Sequence, residues 1–158
     1  MTPAVPVLRP RVILLVGLPG AGKSTWARMH GLAVLSSDDV RFLLTDDPAD
    51  QTVHGQVFGT LRYLLRRRLE LRRPVNYVDA TNITRRERRA WVKLAQFHDA
   101  DAEAVFFDTP VELCKQRNRG RKRVVPEWAI DMLASRLVRP SLDEGFVAVT
   151  TISTKPLS

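Results

Sequence analysis

Short apolar runs recur along this chain and alternate with segments whose apolar positions repeat every three or four residues. The runs lie at Val12–Val16, Leu32–Ser36, Val75–Asp79, Glu103–Phe107 and Phe146–Ile152, and their near-continuous apolarity predicts strands covered on both faces. Helical patterns fill the gaps. One opens at Ser24-Thr25-Trp26-Ala27-Arg28-Met29, and a short one begins near Asp38. A long one runs from about Thr52 to Arg72 with Phe58, Leu61, Leu65 and Leu69 on one face. Thr84-Arg85-Arg86-Glu87 forms a capping box and starts a helix to about Phe97. Thr109-Pro110-Val111-Glu112 combines a cap, a proline at the first helical position and a glutamate, so another helix starts there and runs into residues 117–123. Pro126-Glu127 opens the last, to about Val138. Strands alternating with helices predict an α/β fold, a parallel sheet with helices on both faces. Residues 1–10 and 153–158 carry no such pattern and read as loose tails around a core of about 11–152, a single domain over 1–158 without repeats.

Composition narrows the setting. The single cysteine, Cys114, excludes a disulfide framework, and no apolar run approaches the roughly 18 residues of a membrane helix. A cytoplasmic, soluble protein without a membrane partner is the expectation. Twenty-five Lys and Arg against seventeen Asp and Glu give a net charge of +8, most of the basic side chains being arginine. Arginine grips phosphates bidentately, so a polyanionic partner fits. His30, His54 and His98 lack metal-ligand spacing; Cys114 and the three tryptophans Trp26, Trp91 and Trp128 read as packing residues.

Chemistry concentrates first in Gly17-Leu18-Pro19-Gly20-Ala21-Gly22-Lys23-Ser24, a G-x-x-x-x-G-K-S string between the first strand and the first helix. Glycines there let backbone N–H groups close around phosphate oxygens, and the helix start adds its positive dipole end. The string predicts a nucleoside-triphosphate site: Gly17, Gly20, Ala21 and Gly22 around the phosphates, Lys23 on the β and γ phosphates, Ser24 on Mg²⁺ and Thr25 near the α phosphate. A second ligand to the metal, reached through water, is expected from an acid ending a neighbouring strand. Asp79, followed by the polar group Ala80-Thr81-Asn82, is the stronger candidate; Asp108 is the rival and more simply caps its helix. The second strand ends in Ser36-Ser37-Asp38-Asp39-Val40-Arg41, which places an acid and an arginine three residues apart at a strand-to-helix junction. Asp38 there is able to cap the helix or to take a proton from an attacking hydroxyl.

The combination of Gly17-to-Arg28, Asp38-Asp39-Val40-Arg41, Asp79-Ala80-Thr81-Asn82 with Arg88-Arg89-Ala90-Trp91, and Arg117-Asn118 leading to Val125-Pro126 resembles the kinase domain of the polynucleotide 5′-kinase family, from Val12 to about Pro140. The resemblance implies a P-loop NTPase kinase fold, with five parallel strands in the order 2-3-1-4-5. It implies ATP as donor and a nucleic-acid 5′-hydroxyl end as acceptor, in the setting of nucleic-acid repair. By the same resemblance Asp38 is the general base, Arg41 grips the acceptor's phosphate, and Thr81 and Asn82 lie on the acceptor side. Family members often place an acid directly before the Thr-Asn pair, whereas this chain has Ala80. The arginine-rich stretch 117–123 resembles the lid of P-loop kinases. Arg117 is expected near the base of the nucleotide and Arg121 at the phosphates, with Arg119 and Arg123 as rivals for the second role. Two further functions share these residues: phosphorylation of a small molecule such as a sugar, antibiotic or nucleotide-sugar, and nucleotide-dependent binding without transfer. The arginines of the long helix, Arg62, Arg66, Arg67, Arg68, Arg72 and Arg73, either flank a nucleic-acid groove or form the solvated face of that helix.

Overall fold

The first strand, β1 (Arg11–Val16), is buried at every position after Arg11, because its side chains alternate between two helical layers. Val12, Leu14 and Val16 face one layer; Ile13 and Leu15 face the other. The computed structural model describes residues 8–30 and 34–154. Around β1 stand β2 (Val34–Ser36), β3 (Val75–Asp79), β4 (Asp101–Asp108) and β5 (Ala148–Ser153), all parallel, in the order β2-β3-β1-β4-β5. Five parallel strands in the order 2-3-1-4-5 are the expected sheet.

One layer holds α3 (His54–Glu70) and α4 (Arg85–Phe97); the other holds α1 (Lys23–Met29), α5 (Val111–Arg119) and α6 (Glu127–Arg136). The helix α2 (Ser37–Thr45) continues directly from β2. In α3 the expected stripe is completed by Val57, which joins Leu61, Leu65 and Leu69 in complete burial while Phe58 packs at the margin. The capping box forms as expected: the Thr84 hydroxyl accepts from the Glu87 N–H, and the Glu87 carboxylate accepts from the Thr84 N–H.

Several expectations are corrected. Thr109 does not cap α5; Pro110 occupies that position, and the Thr109 hydroxyl donates to the Ala21 carbonyl at 2.9 Å, pinning the start of α5 to the glycine loop. Trp128 is 67% exposed rather than core, because α6 buries Ile130 and leaves the first turn in solvent. A 3-10 turn at Leu142–Glu144 precedes β5 where the apolar pattern gives no element; Ser141 and Glu144 have capping-box spacing and form that box. Leu32 and Ala33 of the expected second strand, and most of both expected tails, lie outside the described residues.

Candidate active site

The loop after β1 turns on glycine where no other residue fits. Gly20 (φ 83°) and Gly22 (φ 106°) are left-handed, and a Cβ on Gly20 would lie 2.4 Å from the Cys114 carbonyl oxygen. The first helical hydrogen bond of α1 runs from Trp26 N–H to the Gly22 carbonyl at 3.0 Å. The N–H groups of Lys23, Ser24 and Thr25 therefore precede the ladder and converge on the loop. Two loop residues behave otherwise than expected. Gly17 donates its N–H to the Thr81 carbonyl at 3.0 Å, and Ala21 donates to Leu18 at 3.0 Å, so neither offers its N–H to a phosphate. Gly17 is small for packing: a Cβ there would sit 3.2 Å from those of Ala21 and Phe107.

Lys23 is buried and donates to the carbonyls of Gly17 at 2.8 Å and Leu18 at 2.9 Å. Burial pushes its pKa down; Asp79 opposes the shift and nearby Arg121 adds to it. Beside it the Ser24 hydroxyl donates to Asp79 Oδ2 at 2.8 Å. Burial raises the Asp79 pKa, against the Lys23 charge and the Ser24 hydrogen bond. A hydroxyl in the first turn of α1 and a carboxylate oxygen at the end of β3, in contact, are the hard oxygen donors that Mg²⁺ takes, so the residues fit that ion. Asp108 is neither a metal-side acid nor a cap: its carboxylate pairs with Arg139 at 3.0 Å at the surface.

Across the mouth, Ser36 caps α2 by accepting from the Asp39 N–H at 3.3 Å, which leaves Asp38 in the first turn facing the loop side. Three arginines meet its carboxylate: Arg41 at 3.4 Å, Arg121 at 3.6 Å, and Arg123 in closer contact. Arg41 is itself 4% exposed, and its Nε has no partner. The rivalry among lid arginines thus separates: Arg121 and Arg123 reach the site, whereas Arg119 turns away to Glu127 at 2.7 Å. Arg117 lies against the loop, its Nη1 3.5 Å from where a Gly22 Cβ would be. Asn118, part of the Arg117-Asn118 to Val125-Pro126 element, is fully buried and holds Val125 by both backbone groups, at 2.6 and 2.9 Å, closing the base of the lid.

The pair Thr81-Asn82 divides. Thr81 is partly exposed beside the loop, and only its carbonyl is engaged, by Gly17. Asn82 is corrected as an acceptor contact: it is 2% exposed, donates to the Leu15 carbonyl at 3.0 Å and accepts from Trp91 Nε1 at 3.1 Å. Its φ of 50° is a conformation that asparagine tolerates better than most residues. It is a clamp between β1, α4 and the turn after β3. Among the described residues no cluster of His, Cys, Asp and Glu suits a metal on its own, and no described helix is long and apolar enough to cross a membrane.

A central strand, glycine loop and helix at the carboxyl ends of a sheet ordered 2-3-1-4-5, with an arginine-bearing lid opposite, define a P-loop fold of the kinase type. Residues 12–140 match the AAA domain family AAA_33, and the chain belongs to that family. It is 26% identical over 153 residues to the bifunctional polynucleotide phosphatase/kinase of Schizosaccharomyces pombe, covering 92% of this chain and 34% of that protein. The chain thus spans about a third of the length of that relative. A structure of the Pnkp1/Rnl/Hen1 RNA repair complex superposes with a TM-score of 0.70 at 24% identity, over 82% of this chain and 44% of that one. The APS kinase CysC of Mycobacterium tuberculosis, in complex with AMPPNP and APS, gives 0.60 at 20% identity, over 90% and 88%. The resemblance to polynucleotide kinases carried by the motifs is met by these matches, and the fold is shared with kinases of small acceptors.

Proposed function

We propose that the chain transfers the γ-phosphate of ATP to the 5′-hydroxyl end of a polynucleotide. The observation that carries this reading is the convergence on Asp38 of Arg41, Arg121 and Arg123, opposite Lys23 and the Ser24–Asp79 pair. Asp38 stands apart from the Ser24–Asp79 pair and is the acid these arginines surround, and it accepts the proton of the attacking hydroxyl. Arg41 is held by burial and has an unspent Nε, so it suits a fixed anion such as the phosphate that follows the acceptor's first nucleoside. Arg121 and Arg123 exchange the Asp38 carboxylate for oxygens of the transferring phosphoryl group, which frees the base as it places positive charge on the reacting atoms. Lys23 likewise gives up two backbone carbonyls for phosphate oxygens. Ser24 and Asp79 would hold Mg²⁺, which would supply positive charge to neutralise the phosphates.

The test is a panel of acceptors with γ-labelled ATP. Label is expected on oligonucleotides ending in a 5′-hydroxyl and not on those carrying a 5′-phosphate. Asp38→Ala is expected to abolish transfer while nucleotide binding persists, and Arg41→Ala to raise the KM for the oligonucleotide with little change for ATP. Strong labelling of a sugar or of adenylyl sulfate, with oligonucleotides silent, would transfer the same machinery to a small acceptor and overturn the polynucleotide reading.

A further inference from the structure

The outer faces of α3 and α4 carry charge that the reaction centre does not use. Between them runs a groove of about 550 Å³, walled by Arg62 and Arg66 on one side and by Ala90, Lys93, Leu94 and Phe97 on the other. Its floor is apolar and its rim cationic. The acids of these helices are already engaged: Glu70 with Arg67 at 2.8 Å and Glu87 in the capping box. Among the described residues Arg62, Arg66 and Lys93 have no acidic partner. The Phe97 ring, 82% exposed, stands at the end of the same groove. Gathered like charges repel one another, so the complement of this surface is an anion with apolar faces.

A second observation points the same way. Gly59 lies inside α3, where glycine weakens a helix relative to alanine, and Gly55 lies in its first turn. Packing does not require them, since a Cβ on either would meet nothing within 4 Å. Their spacing to Arg62 and Arg66 places all four positions on one stripe of the helix. That stripe has a direction. Because β2 and β3 are parallel neighbours, α3 must return the chain from the sheet edge that holds Asp38 to the opposite edge. The side-chain-free part of the stripe therefore begins at the reaction end, and the cations follow.

We propose that the α3–α4 groove is a track for single-stranded nucleic acid beyond the 5′ end held at Asp38, with phosphates on Arg62, Arg66 and Lys93 and a base on the Phe97 ring. The proposal rests on the polynucleotide reading above. Bare helix backbone lets the strand lie close as it leaves the site, and cations beside an aromatic face match a chain that alternates phosphates with flat bases. The length of α3, about 25 Å at 1.5 Å per residue, accommodates several nucleotides.

The experiment compares a nucleoside 3′-phosphate with a single-stranded dodecanucleotide as 5′-hydroxyl acceptors. Arg62→Glu/Arg66→Glu/Lys93→Glu is expected to raise the KM of the dodecanucleotide about tenfold or more and to leave that of the nucleoside 3′-phosphate unchanged. The log–log salt slope for the long acceptor should flatten by roughly 2, at about 0.7 per lost phosphate contact. Phe97→Ala should raise the same KM without altering the slope. An unchanged KM and slope in the triple variant, or an equal loss for both acceptors, would overturn the track. If the wild type labels no nucleic acid at all, the polynucleotide reading fails first, and fluorescence anisotropy of a labelled dodecanucleotide decides the track. Binding lost in the triple variant supports it; equal binding removes it. Phosphatidylserine vesicles bound by the wild type and released by the variant, with dodecanucleotide binding unaltered, would assign the patch to a membrane surface instead.

Discussion

Asp79 serves two requirements that oppose each other. As a metal-side acid it must be ionised, yet it is 7% exposed, and burial raises its pKa above the ordinary value of 3.8. Desolvation is the larger effect; Lys23 and the Ser24 hydroxyl offset it only in part. A carboxyl whose folded pKa lies above its unfolded one contributes stability in its protonated form, fully below the unfolded pKa, and loses it as pH rises through the folded pKa. At pH 7 the ionised carboxylate is therefore a net cost to folding. Asp79→Asn imitates the protonated form and is expected to melt at a higher temperature than the wild type at pH 7. The two should converge as pH falls below 3.8, while transfer activity is lost throughout. Melting curves across pH, with an activity assay at each point, check it. A variant that melts lower at pH 7 would mean that the Ser24 and Lys23 contacts outweigh desolvation. Lys23→Ala belongs to the same scale. It removes a charge directed at the transition state, and steady-state assays should find transfer lower by orders of magnitude, several kcal/mol, with the fold retained by thermal melting.

At the scale of the element, the lid is defined by its ends. Asn118 fastens the last turn of α5 to Val125 through two hydrogen bonds, which close the intervening residues into one loop. Arg121 and Arg123 tie the loop to Asp38. Asn118→Ala leaves the partly buried N–H and carbonyl of Val125 without their side-chain partner, at a cost of about 1 kcal/mol each. Trypsin should then cut between Arg119 and Arg123 faster than in the wild type, and ATP with Mg²⁺ should slow cleavage of both proteins. Equal cleavage rates for variant and wild type would show that the clamp does not hold the lid. Arg119→Ala breaks only a surface pair with Glu127 and is expected to change turnover little, whereas Arg121→Ala and Arg123→Ala should each lower it strongly.

Across the whole molecule a buried polar chain joins the segment before β5 to the phosphate loop. Glu144 takes both arms of Arg88, at 2.8 and 3.0 Å; Arg88 also donates to the Asn82 carbonyl at 2.9 Å, and Asn82 reaches Leu15 on β1. The adjacent Thr81 carbonyl receives the Gly17 N–H. Arg88 is fully buried, so removing Glu144 strands a charge in the interior. Glu144→Ala is expected to lower the unfolding free energy by about 3–5 kcal/mol in urea titrations, and to weaken nucleotide binding beyond what partial unfolding explains, because the loop loses its backing. A loss below about 1 kcal/mol would show that water replaces the carboxylate.

Local chemistry determined much of this protein from its sequence. β1 is legible because a central parallel strand is apolar at nearly every position, the glycine loop because left-handed turns and close backbone approach admit so few residues, and α4 because its cap is written within four residues. The Asp38–Arg41 pair is legible for the same reason, since both lie within one turn of α2. What the tertiary structure alone decided depends on partners far along the chain. Asn82 is spent on Leu15 and Trp91, Thr109 on Ala21, and Asp108 on Arg139, and no local pattern announces those pairs. The choice of Arg121 and Arg123 over Arg119 rests on which way a loop of near-identical cations folds across the sheet edge toward Asp38. A side chain's type fixes the hydrogen bonds and charges it can offer; its role is fixed by whichever group the packed sheet and helices bring within reach of it.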